Sequence, residues 1–170
     1  MSFMSGHNKW AQIKHKKSLT DQKRGQIFSK LSKAITLAAR RGTDPKTNNS
    51  LANAIEQARN VNMPNENIER AIRKVSEKES ARLEEFLVEA IGPGGVVLKI
   101  KGVTDNKNRT IAEVKKILSD HDSKMVQPGS TNWMFTNSVT IDKKTQEKIN
   151  GLFESLDNND DVSDVDSNIS

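Results

Sequence analysis

Six basic residues, Lys9, Lys14, Lys16, Lys17, Lys23 and Arg24, fall within sixteen positions, interspersed with Trp10 and His15 and preceded by His7. Lysine ammonium groups at this density are mobile point charges suited to neutralising phosphates. An indole among them offers a flat face on which an unpaired base can stack. Trp10 has a second use. A small helical unit poor in aromatics needs a large filler, and the ring would then pin the basic stretch with its lysines facing outward. Lys30, Lys33, Arg40 and Arg41 continue the series along the first predicted helix. The candidate nucleic-acid-binding set is therefore Lys9, Trp10, Lys14, His15, Lys16, Lys17, Lys23, Arg24, Lys30, Lys33, Arg40 and Arg41.

No catalytic constellation accompanies these cations. His7 and His15 sit among lysines that favour the neutral ring, and no nearby Ser/Asp set completes a triad with them or with His121. Two histidines in positive surroundings are a weak metal signal. Cysteine is absent, which excludes disulfides, thiolate catalysis and cysteine-zinc sites. Gly92-Pro93-Gly94-Gly95 lacks the Lys-Ser/Thr of a phosphate loop and lies between two predicted strands, so it reads as a hairpin turn. The chain is read as a non-enzyme with no cofactor, metal or small-molecule substrate.

The charge is unevenly spread. Residues 1–74 hold 15 Lys and Arg against 5 Asp and Glu, and residues 75–170 hold 12 against 17. A basic half joined to an acidic half points to an N-terminal part that meets a polyanion. No apolar run approaches the roughly 20 residues of a membrane span, and the first residues, MSFMSGHNKW, contain no hydrophobic signal core. A cytoplasmic protein without membrane contact is expected, with Met4 an alternative start to Met1.

The elements that must position these residues follow from periodicity. Ile27, Phe28, Leu31, Ile35 and Ala38 or Ala39 recur at helical steps from about Thr20, and Gly42 stops the helix. Leu51, Ala54, Ile55 and Ala58 predict a second helix over 50–60. Pro64 at a first helical position, with Ile68, Ala71, Ile72 and Val75 behind it, predicts a third. Residues 1–17 form a basic segment, 18–75 a three-helix bundle and 76–81 a featureless charged linker.

Beyond the linker the period becomes strand-like. Phe86, Val88 and Ala90 alternate with Leu87, Glu89 and Ile91, and Val96–Ile100 follows the turn. A helix carries Ile111, Val114, Ile117 and Leu118 inward. Strands are predicted at 133–135 and 139–141, then a helix capped by Asp142 with Ile149, Leu152, Phe153 and Leu156 inside, and a short strand at 162–165. The fold class is α+β. An N-terminal three-helix bundle precedes a small α/β domain over 82–167, whose mainly antiparallel sheet carries helices on one face.

The blocks GHNKWAQIKHKK, DQKRGQIFSKL, NMPNENIERAI, GPGGV and TDNKNRTIAEV resemble the YebC/PmpR family, in order from Gly6 to Phe135. The resemblance implies a three-helix N-terminal domain, α/β domains after it, and nucleic-acid binding. That binding is ascribed in the family either to promoter DNA or to ribosome association that aids translation. Family members usually carry a third domain inserted within the second. Here the residues around Trp133-Met134-Phe135 resemble the last strand before the insert, and 137–141 the strand after it, so the chain resembles a member without that domain. Asn8 and Phe86 stand where serine and tyrosine are common.

The favoured expectation is a translation factor that contacts ribosomal RNA or the ribosome. Lysine-dominated charge reads phosphates better than bases, and Asn and Gln fall in no evident base-reading pattern. The alternatives are a DNA-binding transcriptional regulator and a protein-interaction adaptor whose basic half meets an acidic protein.

Overall fold

A computed structural model of the chain describes residues 20–170. Contacts divide them into a helical unit, residues 20–85 with 103–106, and a sheet-and-helix unit, residues 86–102 with 107–170.

The helical unit opens on α1 (Asp21–Ala38), capped by the Thr20 hydroxyl, which accepts from the Lys23 amide at 3.2 Å. A 3-10 turn, Ala39–Arg41, and Gly42 end it. Asn48 is buried and caps α2 (Asn49–Asn60). Its Oδ1 accepts from Leu51 N, and its Nδ2 donates to the carbonyls of Ala38 and Gly42, so one amide closes two helix ends. Pro64 precedes α3 (Asn65–Arg73) with ψ 143°, so it occupies the capping position and not the expected first helical one. Ile35, Leu51, Ile55, Ala58, Met63, Ile68 and Ala71 make the core, with Phe28, Leu31, Ile72 and Val75 packed around it. Thr36 donates from inside this core to Ala71 O at 2.7 Å, tying α1 to α3.

The expected featureless linker is folded. Lys74–Ser76 and Lys78–Arg82 are 3-10 turns. Ser80 is buried, and its hydroxyl donates to Glu77 O and Val75 O. Charge density hid this turn from a periodicity reading, because a single buried serine leaves no apolar pattern.

The second unit is built on a four-stranded sheet, order β3-β1-β2-β4, formed by β1 (Glu84–Ile91), β2 (Val97–Thr104), β3 (Lys124–Val126) and β4 (Val162–Ser167). Both outer pairings are antiparallel, Ala90 facing Met125 and Ile100 facing Val165. The turn Pro93–Gly95 joins β1 to β2, with Gly94 and Gly95 at φ 73° and 75°, which suits glycine. Two helices, α4 (Lys107–Asp120) and α5 (Lys143–Asp157), bury Val114, Leu118, Ile149, Leu152, Phe153 and Leu156 on one face of the sheet against Phe86, Val88, Ala90, Leu98 and Ile100. Asp142 caps α5 as expected, accepting from Thr145 N at 2.7 Å.

Two expected strands are corrected. Asn132–Thr136 is a 3-10 turn, with Met134 N and Phe135 N donating to Thr131 O, so Trp133–Phe135 pairs with no strand. Val139–Ile141 is reduced to one parallel bridge, Val139 to Ile169. The third strand is instead Lys124–Val126, three residues too short to show a period.

Candidate nucleic-acid interface

Of the twelve candidate residues, Lys9, Trp10, Lys14, His15, Lys16 and Lys17 lie outside the described residues. The other six fall on α1 and the turn after it. Lys23 and Lys30 stand two helical turns apart on one side, with Lys33 a turn further on. By helical rotation Lys30 and Lys33 lie opposite the stripe of Phe28, Leu31 and Ile35 that enters the core. Arg24 is exposed, rotated away from Lys23, and forms an i,i+3 ion pair with Asp21 at 3.7 Å. Arg41 is exposed. Arg40 has a structural task, donating through Nη2 to the carbonyl of Ser80 and so bracing the folded turn against α1. The structure thus brings Lys23, Lys30 and Lys33 onto one helix.

The second helix carries a feature the sequence reading passed over. Asn49, Asn53, Gln57 and Asn60 of α2 are all exposed and recur at four- and three-residue steps. That spacing lays them in one row, opposite Leu51, Ala54, Ile55 and Ala58. Asn and Gln amides are the side chains that pair with an adenine edge. The row is a regular polar face of α2 that the apolar period alone does not name.

His121 Nε2 lies 2.9 Å from Ser155 Oγ. Among the described residues no three His, Asp or Glu side chains are grouped to hold a metal ion.

A buried carboxylate was also missed. Glu89 of β1 is 1% exposed, although alternation placed it on the outer face beside Leu87 and Ile91. It is covered because the loop before the 3-10 turn folds over it. Its carboxylate accepts from Gly129 N and from Thr131 Oγ1. Burial pushes its carboxyl up, but the Thr131 and Gly129 donors and the Lys99 charge outweigh this and hold it below the ordinary value of 4.5. Lys99 on β2 anchors the same segment, donating to Asn132 Oδ1 at 2.8 Å and lying 4.8 Å from the Phe135 ring centre.

Glu89→Gln should destabilise the sheet-and-helix unit by about 1–3 kcal/mol at neutral pH, because an amide offers a donor where two donors already point. The folded carboxyl is lowered, so its contribution is full above the unfolded value and is lost as pH falls through the folded value. The stability gap between parent and variant should therefore narrow in urea melts taken progressively below pH 4.5. A gap that stays constant there would remove the carboxylate from this role.

Two family models match the chain: "TACO1/YebC protein N-terminal domain" over residues 8–78 and "TACO1/YebC second and third domain" over residues 83–138. The chain belongs to the TACO1/YebC family. A TACO1/YebC relative from Halothermothrix orenii, named a probable transcriptional regulatory protein, is 51% identical over 134 residues, covering 78% of this chain and 53% of its own. Another of that name, from Solibacter usitatus, is 46% identical over 154 residues, covering 88% and 62%. The chain thus spans about 60% of the length of such curated TACO1/YebC relatives. The crystal structure of a conserved hypothetical protein from Aquifex aeolicus superposes with TM-score 0.82 at 29% identity, covering 95% of this chain and 96% of that one. Among the described residues no helix is long and apolar enough to cross a membrane.

Proposed function

We propose that this chain is a non-enzymatic regulator of gene expression that acts by binding nucleic acid, with RNA on the ribosome as its target in the cytoplasm. The observation that carries the reading is the concentration of cations, 15 against 5 acids in residues 1–74, with Lys23, Lys30 and Lys33 ranked along α1. A lysine array on a helix fits an irregular phosphate surface without reading base edges. The relatives' name, probable transcriptional regulatory protein, supports a regulator of gene expression.

A specific observation favours a second reading, duplex DNA. The exposed row Asn49, Asn53, Gln57 and Asn60 is the kind of face that reads adenine in a groove. Glu56 intrudes on the same side and opposes close phosphate approach, which places RNA first. An adaptor that meets an acidic protein is distinguished by a pulled-down complex surviving nuclease digestion.

The test uses ribosome co-sedimentation and a random duplex pool. The protein should sediment with ribosomes at low salt and leave them as salt rises, while selecting no duplex. Lys16→Glu combined with Lys17→Glu should weaken RNA binding by about tenfold or more and lower the log–log salt slope by about 1.4 or more. Unchanged affinity and slope would move the binding surface elsewhere. Absence from ribosomes with strong selection of one duplex, abolished by Asn53→Ala and Gln57→Ala, would establish the DNA reading instead.

A further inference from the structure

The sheet-and-helix unit carries a site that the basic N-terminal region does not account for. Trp133 is 68% exposed, more than any other large hydrophobic residue among those described. The residues on both sides of this ring are held by strand side chains. Upstream, Glu89 holds Gly129 and Thr131. On either side, Lys99 holds Asn132 by a hydrogen bond and Phe135 by its charge over the ring. The turn that carries the exposed indole is anchored, so binding there would cost less backbone freedom than on a free loop.

Trp133 lines an open groove together with Ile91, Met134, Lys115, Lys124 and Gln127, and no Asp or Glu lines it. That absence stands out in a region where acids outnumber bases, 17 against 12 over residues 75–170. Lys115 and Lys124 are exposed. The one carboxylate bonded to its wall, Glu89, is buried behind Thr131, and the open side of the cleft presents a flat ring, two ammonium groups and a carboxamide. This is the complement of an unpaired nucleotide: ring for base, ammonium for phosphate.

We infer that the Trp133 groove binds an unpaired RNA strand, one base stacking on the indole and the flanking phosphates meeting Lys115 and Lys124. The inference rests on the nucleic-acid reading above and deepens it, because it adds a contact that requires the base to be unstacked. A duplex, with its bases already paired, gains nothing from Trp133.

The test uses the full chain and a short mixed-sequence RNA containing 4-thiouridine, free as a single strand or annealed to its complement. After irradiation, digestion with trypsin should place the adduct in the peptide Met125–Lys143, which contains Trp133. By anisotropy, Trp133→Ala should weaken single-strand binding by about tenfold, and Trp133→Phe should recover most of it, since any aromatic face stacks. Lys115→Gln with Lys124→Gln should lower the log–log salt slope by about 1.4. Duplex affinity should be unmoved by Trp133→Ala. Folding is controlled by the circular dichroism melt, which a surface indole at 68% exposure should leave unchanged. Parent-like single-strand affinity in Trp133→Ala, with adducts confined to residues 1–60, overturns the groove and leaves the nucleic-acid reading intact. No binding to either RNA by the parent overturns both. A dimer in sedimentation that Trp133→Ala dissolves, without loss of RNA affinity, also overturns the inference and assigns the face to a second copy of the chain.

Discussion

Gly102→Ala is expected to destabilise the sheet-and-helix unit by at least about 4 kcal/mol, a large share of the roughly 5–15 kcal/mol by which a domain is stable. Gly102 faces Val162 across the β2–β4 pairing, at the register shift between Lys101 and Gly102. A Cβ there would lie 1.8 Å from the Asp161 carbonyl oxygen and 2.7 Å from Cε1 of Phe86. Neither neighbour can yield cheaply. Phe86 is buried in the core, and the Asp161 side chain is held by Thr110 Oγ1 at 2.7 Å and Arg109 Nη2 at 3.0 Å. Relief requires β4 to leave β2. Gly25→Ala is the contrasting control. A Cβ at that position in α1 meets nothing within 4 Å, so removing a mid-helix glycine should stabilise by about 0.5–1 kcal/mol. Melts of the two variants should move in opposite directions. A parent-like melting temperature for Gly102→Ala would show that the β2–β4 junction relaxes freely.

Ending the chain after Thr136 should abolish the cooperative transition of the second unit. The lost segment contains α5 and β4, which supply Ile149, Leu152, Phe153, Leu156, Val162 and Val165 to the same core as Phe86, Val88 and Leu98. Six side chains at about 1.5–3 kcal/mol each represent on the order of 10 kcal/mol of apolar burial, comparable with the whole stability of a domain. The β2 edge would also lose its partner over Leu98–Gly102. Amide exchange should show β1 and β2 unprotected in the truncated protein. The helical unit keeps its own core and should keep protection in α1 to α3. Protection of Leu98 and Ile100 amides at parent levels would make residues 137–170 an appendage.

Much of this architecture was legible because burial leaves a period. Ile149, Leu152, Phe153 and Leu156 fall at helical steps behind the Asp142 cap, and the structure buries all four. Phe86, Val88 and Ala90 alternate and are buried alike. Where local bonds or a single side chain decide, no period exists. Ser80 folds the charged stretch into a turn through two hydroxyl bonds and the Arg40 brace. Trp133–Phe135 has strand composition, but the Met134 and Phe135 amides go to Thr131 O.

The candidate site divided in the same way. Charge is additive along a sequence, so the cationic character of residues 1–74 could be counted from residue types alone. Which cations the fold itself bonds could not be counted so, where the bonded group lies far away in sequence. Arg40 is claimed by a carbonyl forty positions away. The row Asn49, Asn53, Gln57 and Asn60 was present in the sequence as the polar complement of an apolar stripe, and helix rotation alone reveals it. The Trp133 groove was not present there in any form. It exists because Glu89 and Lys99, on strands far earlier in the chain, fix the turn that presents the ring. The sequence by itself determined the helices, the main hairpin and the sign of the charge, since these depend on residue type and spacing. Only the tertiary structure decided the short third strand, the burial of Glu89 and the outward indole, since each depends on which distant backbone groups arrive beside it.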